Sequence, residues 1–205
     1  MLVIVDYGVG NLMSIQNMLK KGGVTAKISG RLSEIADATK LLLPGMGAFD
    51  NCMERFNNSG LRPTIERKVF EEKIPILGIC VGLQMFMASS EEGILPGLGW
   101  INGATIRFRP GQMDQAQKIP NMGWLEIKKK KHSRLLEGLD DARFYFAHSY
   151  HVNPAQPADI LITAEYGYEF VVGVEKDNII GVQFHPEKSH KYGMALLKNF
   201  AASYQ

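Results

Sequence analysis

The chain has 205 residues, 45% hydrophobic and 21% charged, a balance that fits a folded globular protein and argues against disordered, collagen-like or coiled-coil chains. Lys and Arg number 23 against 21 Asp and Glu, a formal charge of +2, too even for a nucleic-acid or polyanion binder. Apolar runs such as LLLPG break far short of the roughly 20 residues a membrane helix needs, and MLVIVDYG has no secretory n-region.

A soluble, cytoplasmic protein with two free thiols is therefore expected. Cys52 and Cys80 lie 28 residues apart, and no flanking His or Cys supplies redox or zinc-finger spacing. In the first half, short β-rich runs at 2–7, 25–28, 40–45 and 74–79 alternate with helical patterns. Residues 11–21 place Leu12, Ile15, Met18 and Leu19 on one face, with Asn11 as the expected N-cap, and 61–73 and 81–90 also read as helices. This alternation predicts right-handed βαβ units and a parallel sheet covered on both faces. A GxG at 8–10 lacks the third glycine of a dinucleotide fingerprint.

Beyond about residue 95 the texture changes to short strands and turns: ATIRF, LEIKK, RFYFAHSY, DILITAEY, FVVGVEKDN and IIGVQFHP. A final helix over 191–203 turns Met194, Leu197 and Phe200 to the core. The lysine run 128–131 reads as a solvated hairpin turn. The expected fold class is α/β, one domain over 1–205, with a central mostly parallel sheet flanked by helices and additional antiparallel strands in the C-terminal half.

The sharpest local signal is GICVGLQ at 78–84, where Cys80 sits between glycines at −2 and +2, after an apolar strand and before a helix. This is the nucleophile-elbow pattern with Cys in place of Ser. A tight strand-to-helix turn strains the nucleophile, and the helix N-terminus favours the thiolate. Cys52 has no such context and is expected to be structural. A thiol nucleophile needs a base, and the base an orienting group. His185 in VQFHPEKS stands two residues before Glu187, and extended backbone at Pro186 would put both on one side. Cys80, His185 and Glu187 thus form a candidate triad. An oxyanion would be met by the Val81 N–H and by the PGMG stretch at 44–47. His148 and His151 resemble a metal pair, but no third ligand is evident, so neither metal nor other cofactor is expected.

DYGVGN at 6–11, PGMGAF at 44–49, GICVGLQ at 78–84, PNMGW at 120–124, FYFAHSY at 144–150 and QFHPEKS at 183–189 follow one another in this order. Together they resemble the class I, triad-type glutamine amidotransferases, and among these the glutaminase subunits of imidazole glycerol phosphate synthase. The resemblance spans nearly the whole chain. It implies the class I glutamine amidotransferase fold, a thiolate attack on L-glutamine, release of ammonia and hydrolysis of a thioester to glutamate. It implies Cys80 as nucleophile, His185 as general acid/base, Glu187 as its orienter, and Gly47 and Val81 around the oxyanion. Gln84 and Glu92 would hold the substrate's amino-acid end, helped by His148, Ser149 and Tyr150. The implied partner is a (β/α)8-barrel synthase subunit in a heterodimer of histidine biosynthesis, contacted by Asn11, Trp124 and Lys188.

One departure bears on that partner. The histidine-pathway pattern is PHxGWN, whereas Asn121 and Leu125 occupy the His and Asn positions in PNMGWL. The tail SHKYGMALLKNF also resembles a paralogous group that feeds ammonia to a sugar amidotransferase in surface-polysaccharide assembly. A non-catalytic binding module of the same fold is a further alternative; the intact Cys80, His185, Glu187 and Gln84 argue against it. A cysteine peptidase or esterase using the same elbow is disfavoured by Gln84 and the HSY segment.

Overall fold

A computed structural model describes residues 1–113 and 117–204. The first half runs β1 (Leu2–Val5), α1 (Leu12–Lys21), β2 (Ala26–Ser29), α2 (Leu32–Ala36), β3 (Lys40–Gly45), α3 (Phe49–Asn58), α4 (Arg62–Glu66), β4 (Ile76–Cys80) and α5 (Val81–Met85). The second half runs β5 (Ser89–Ser90), β6 (Gly103–Arg107), β7 (Asn121–Glu126), β8 (Lys128–Lys129), β9 (Arg143–His148), β10 (Tyr150–Pro154), β11 (Ile160–Tyr166), β12 (Tyr168–Lys176), β13 (Ile179–Val182) and α6 (His190–Ser203).

One 11-stranded sheet has the order β2-β1-β3-β4-β13-β12-β10-β6-β5, with β11 paired to β12 and β8 to β11. From β2 to β13 every pairing is parallel, and β1, β4 and β13 are buried at every position. Such strands are near-continuous apolar runs because both faces are covered. From β13 through β12 and β10 to β6 the pairing is antiparallel, as is the separate pair β7–β9. The central strands matter most for the site: Gly45 stands opposite Cys80 where β3 and β4 end.

Several expected elements change at their ends. The helix begun at Val81 stops at Met85 because the returning chain takes its carbonyls: Leu98 N–H donates to Met85 O at 2.7 Å and Ile101 N–H to Phe86 O at 3.0 Å. The 61–73 helix is α4 followed by a π-helical turn, Arg67–Glu71. Asn11 occupies the cap position of α1 but makes no side-chain capping hydrogen bond. On α6 the buried aliphatic positions are Leu196 and Leu197 with Phe200, while Met194 is half-buried.

The 128–131 lysines form no hairpin turn. Lys128 and Lys129 lie on β8 against β11, and the side chains pair with Glu165, Asp140 and Glu169 at 2.7–2.8 Å. Lys131 donates to two carbonyls, Ala158 O and Glu175 O. The run therefore satisfies a sheet edge that would otherwise stay open. No helix among the described residues is long and apolar enough to cross a membrane.

Candidate active site

Cys80 terminates β4 and has φ 56° and ψ −113°. For a residue with a Cβ this region costs on the order of 1–3 kcal/mol and persists only where the surroundings enforce it. The enforcement is steric. A Cβ on Gly82 would lie 1.9 Å from Leu43 O, and one on Gly78 would lie 2.8 Å from Leu83 N. Only bare glycines let α5 turn back this closely over β3 and β4, and the turn lifts the thiol out of the sheet.

His185 follows β13, the neighbour of β4, so adjacent parallel strands deliver the two groups to one edge. Its Nδ1 lies 3.0 Å from Glu187 Oε1, and it shares the lining of one cavity with Cys80, whose sulfur acts on its charge. Extended backbone does not create the His–Glu pair. Pro186–Lys188 is a 3-10 turn, with Lys188 N–H closing onto His185 O at 3.0 Å. Buried Ser189 fixes this turn, donating to His185 O at 2.7 Å and accepting from Tyr145 N–H at 3.0 Å. Burial opposes a charge on His185, but the Cys80 sulfur and Glu187 carboxylate together raise its pKa to about 10.

That shift has a thermodynamic sign. A pKa raised from 6.5 to about 10 means that protonated His185 stabilises the fold fully below pH 6.5, and the contribution is lost as pH rises through 10. The unfolding free energy of the wild type should therefore fall relative to that of His185→Asn between these limits, at up to about 1.4 kcal/mol per pH unit for one proton. Urea titrations of both proteins from pH 6 to 10 check this. Parallel curves would contradict the coupling.

The thiol opens on a cavity of about 290 Å³ whose lining includes Gly47, Cys80, Val81, Gln84, Glu92 and His185. His148, Ser149 and Tyr150 line it as well. Val81, the first residue of α5, has an amide without an intrahelical acceptor. Gly47 has φ 87° at the end of the 44–47 segment and lines the same cavity as Val81. Gln84 is buried and donates to Tyr150 O at 3.2 Å and to Gln183 Oε1 at 3.1 Å. Glu92 is at the exposed rim, where its Oε2 accepts the Phe49 N–H at 3.0 Å. All ten residues assigned to triad, oxyanion and substrate roles thus converge on the cavity or on its histidine.

Asn11 and Lys188 border a smaller cavity of about 20 Å³ with His185 and Glu187. Trp124, 40% exposed, stacks on His190 at 5.5 Å and lies 6.2 Å from Tyr145, whose ring also carries the Lys188 ammonium at 5.6 Å. These three residues therefore share the side of the molecule behind the triad. Among the described residues no group of three His, Cys, Asp or Glu could hold a metal ion.

Three polar side chains escape sequence reasoning. Gln183, wholly buried, donates to Cys80 Sγ at 3.7 Å. Tyr7 OH donates to Pro44 O at 2.7 Å, and Cys52 Sγ donates to Met46 O at 3.4 Å. Burial pushes the Cys52 thiol up to about 11, so it remains a donor and holds the 44–47 segment. Gln183 and Tyr7 had a signal, their places in the VQFHPEKS and DYGVGN motifs; Cys52 has none short of the fold.

The class-I glutamine amidotransferase family pattern matches residues 3–203. Imidazole glycerol phosphate synthase subunit HisH of Bdellovibrio bacteriovorus is 49% identical over 204 residues, covering 98% of this chain and 99% of that protein. Subunit HisH 2 of Pseudomonas aeruginosa is 46% identical over 201 residues, 98% of each. Subunit HisH 2 of Methanococcus maripaludis is 48% identical over 201 residues, again 98% of each. Among solved structures, PurLQS from Thermotoga maritima matches with a TM-score of 0.72 at 16% identity, covering 97% of this chain and 96% of that one, a likeness of fold.

Proposed function

The chain belongs to the class-I glutamine amidotransferases, and on that premise we propose that it is the glutaminase subunit of an imidazole glycerol phosphate synthase, acting in histidine biosynthesis in the cytoplasm. The observation that carries the reading is the Cys80–His185–Glu187 constellation, set on the wall of a cavity that also holds Gln84 and Tyr150. Residues 1–205 act as one glutaminase domain. The full-length similarity to three HisH subunits favours the histidine pathway over the surface-polysaccharide paralogue.

The chemistry follows from the geometry. L-Glutamine enters with its side-chain amide toward Cys80 and its amino-acid end toward Gln84, Glu92 and the 148–150 strand junction. His185 already carries the proton and Glu187 supports the charged ring while the Cys80 sulfur attacks the amide carbon. The carbonyl oxygen becomes an oxyanion, met by the amides of Val81 and Gly47. The tetrahedral centre collapses, His185 gives its proton to the departing nitrogen, and ammonia leaves with a γ-glutamyl thioester on Cys80. Water, deprotonated by the now neutral His185, then opens the thioester, giving glutamate, free Cys80 and a His185 that again carries its proton.

Ammonia released here is consumed by a (β/α)8-barrel synthase subunit docked over Asn11, Trp124 and Lys188. The test is to mix the chain with such a subunit and its nucleotide ligand. Glutamine hydrolysis should rise by about tenfold or more, the scale of a coupling of 1–3 kcal/mol, and imidazole glycerol phosphate should form from glutamine. Full glutaminase activity of the isolated chain would overturn the coupling. Transfer of ammonia only to a sugar amidotransferase would overturn the pathway.

A further inference from the structure

The polar groups around the cavity form a chain whose direction can be deduced. Tyr150 O can only accept, and His148 Nδ1 lies 2.7 Å from it, so Nδ1 carries a proton. The titratable groups facing His148 are His151 and His185, and its ring packs against Phe108, Phe146 and Phe170. Burial among them lowers its pKa to about 3, so the ring is neutral and Nε2 bears a lone pair. Asn121 Nδ2 stands 3.4 Å from that nitrogen, and Asn121 is 1% exposed. Only an amide N–H satisfies a bare Nε2, so the orientation of Asn121 is determined as well.

Beyond Tyr150 O the chain continues to the nucleophile. Gln84 Nε2 donates to the same carbonyl at 3.2 Å and to Gln183 Oε1 at 3.1 Å, and Gln183 Nε2 donates to Cys80 Sγ at 3.7 Å. Both N–H groups of Gln84 are thereby used. Its Oε1 remains to accept from a ligand, and Gln183 can present only donors to the sulfur.

We propose that Asn121 is a positioning residue for this active site: it holds His148 in the Nδ1–H tautomer, and through Tyr150 O, Gln84 and Gln183 it orients the donors that reach Cys80. Asn121 begins β7, the strand that also carries exposed Met122 and Trp124, so the proposal links the expected partner face to the nucleophile. It is also one of the two positions where the chain departs from PHxGWN. An amide there donates at every pH, whereas an imidazole would titrate.

The test begins with wild-type protein, because the tautomer is readable without substrate. Long-range ¹H–¹⁵N correlation spectra should place the His148 proton on Nδ1 and leave Nε2 bare from pH 6 to 8. A proton on Nε2 would overturn the proposal. Asn121→Asp, nearly isosteric, turns an oxygen toward Nε2, so His148 should become doubly protonated at pH 7; a neutral ring there would also overturn it. Iodoacetamide alkylation of Cys80 should slow severalfold in Asn121→Leu, and recover in Asn121→His, which restores an N–H donor. Unchanged alkylation in a folded Asn121→Leu protein would mean that the chain does not reach the sulfur.

The activity readout rests on the glutaminase reading. In the complex with the synthase subunit, Asn121→Leu should raise the KM for glutamine about tenfold, the cost of one disrupted buried hydrogen bond, with a smaller change in kcat. If the wild type hydrolyses no glutamine in that complex, the glutaminase reading fails, while the spectra and alkylation rates still decide the role of Asn121.

Discussion

Cys80→Ala is expected to reduce glutamine hydrolysis by at least about 10⁴-fold, the scale on which enzymes lose rate when a covalent nucleophile is removed. The reason is structural as well as chemical. No second thiol can substitute, because Cys52 is buried on α3 with its sulfur committed to Met46 O and its pKa raised by burial. A glutamine-mimicking diazoketone should therefore add to Cys80 alone in the wild type and to nothing in the variant, as read by intact mass and peptide mapping. Labelling at another residue, or none even with the synthase subunit and its ligand present, would sink the mechanism. A companion substitution separates strain from chemistry. Cys80→Ala keeps a Cβ at φ 56° and ψ −113°, whereas Cys80→Gly removes it. The glycine variant should be more stable than the alanine variant by about 1 kcal/mol, although equally inactive. Equal stability would show that the elbow stores no strain.

Much of this site is legible in the sequence because its chemistry depends on local spacing. The elbow is read from Gly78, Cys80 and Gly82, since one tight turn must pass over two strands at those residues. The pairing of His185 with Glu187 is read from their separation of two, although a 3-10 turn rather than an extended strand produces it. The parallel strands are likewise legible from short apolar runs, because strands buried on both faces need no alternation.

What remains illegible is set by tertiary neighbours. The end of α5 at Met85 depends on the 97–101 segment returning to accept its place against those carbonyls. The lysines at 128–130 are solvated as expected, but the turn is not there: β8 pairs with β11, and Glu165 and Glu169 come beside the ammonium groups. Asn121 looks like a substitution on the partner side, yet it is buried because β7 lies antiparallel to β9, directly opposite His148. Gln183 sits in a recognised motif, but its hydrogen bonds reach Gln84 and Cys80, 99 and 103 residues away. Long-range polar contacts of this kind leave no periodicity to read.

The same steric logic makes Gly82→Ala a severely disruptive single methyl group at the active site. An added Cβ would stand 1.9 Å from Leu43 O and 2.9 Å from its carbonyl carbon. These are backbone atoms of β3, paired on one side to β1 and on the other to β4, so they cannot rotate away as a side-chain tip could. Relief requires α5 to lift off the sheet or β3 to shift at its end, where the 44–47 segment faces the thiol. Stability should fall by about 3 kcal/mol or more, at or above the upper range for overpacking. For a chain of this size that corresponds to a melting temperature lower by roughly 6–12 °C. Glutaminase activity should fall further than stability explains, because the same displacement separates the Gly47 and Val81 amides from the position of the oxyanion. Gly111→Ala is the control: among the described residues a Cβ there meets no heavy atom within 4 Å, and its effect should stay within about 0.5 kcal/mol. Calorimetry and steady-state assays below the melting transition measure both. A Gly82→Ala protein with wild-type stability and activity would show that the close approach of α5 to β3 does not shape the site.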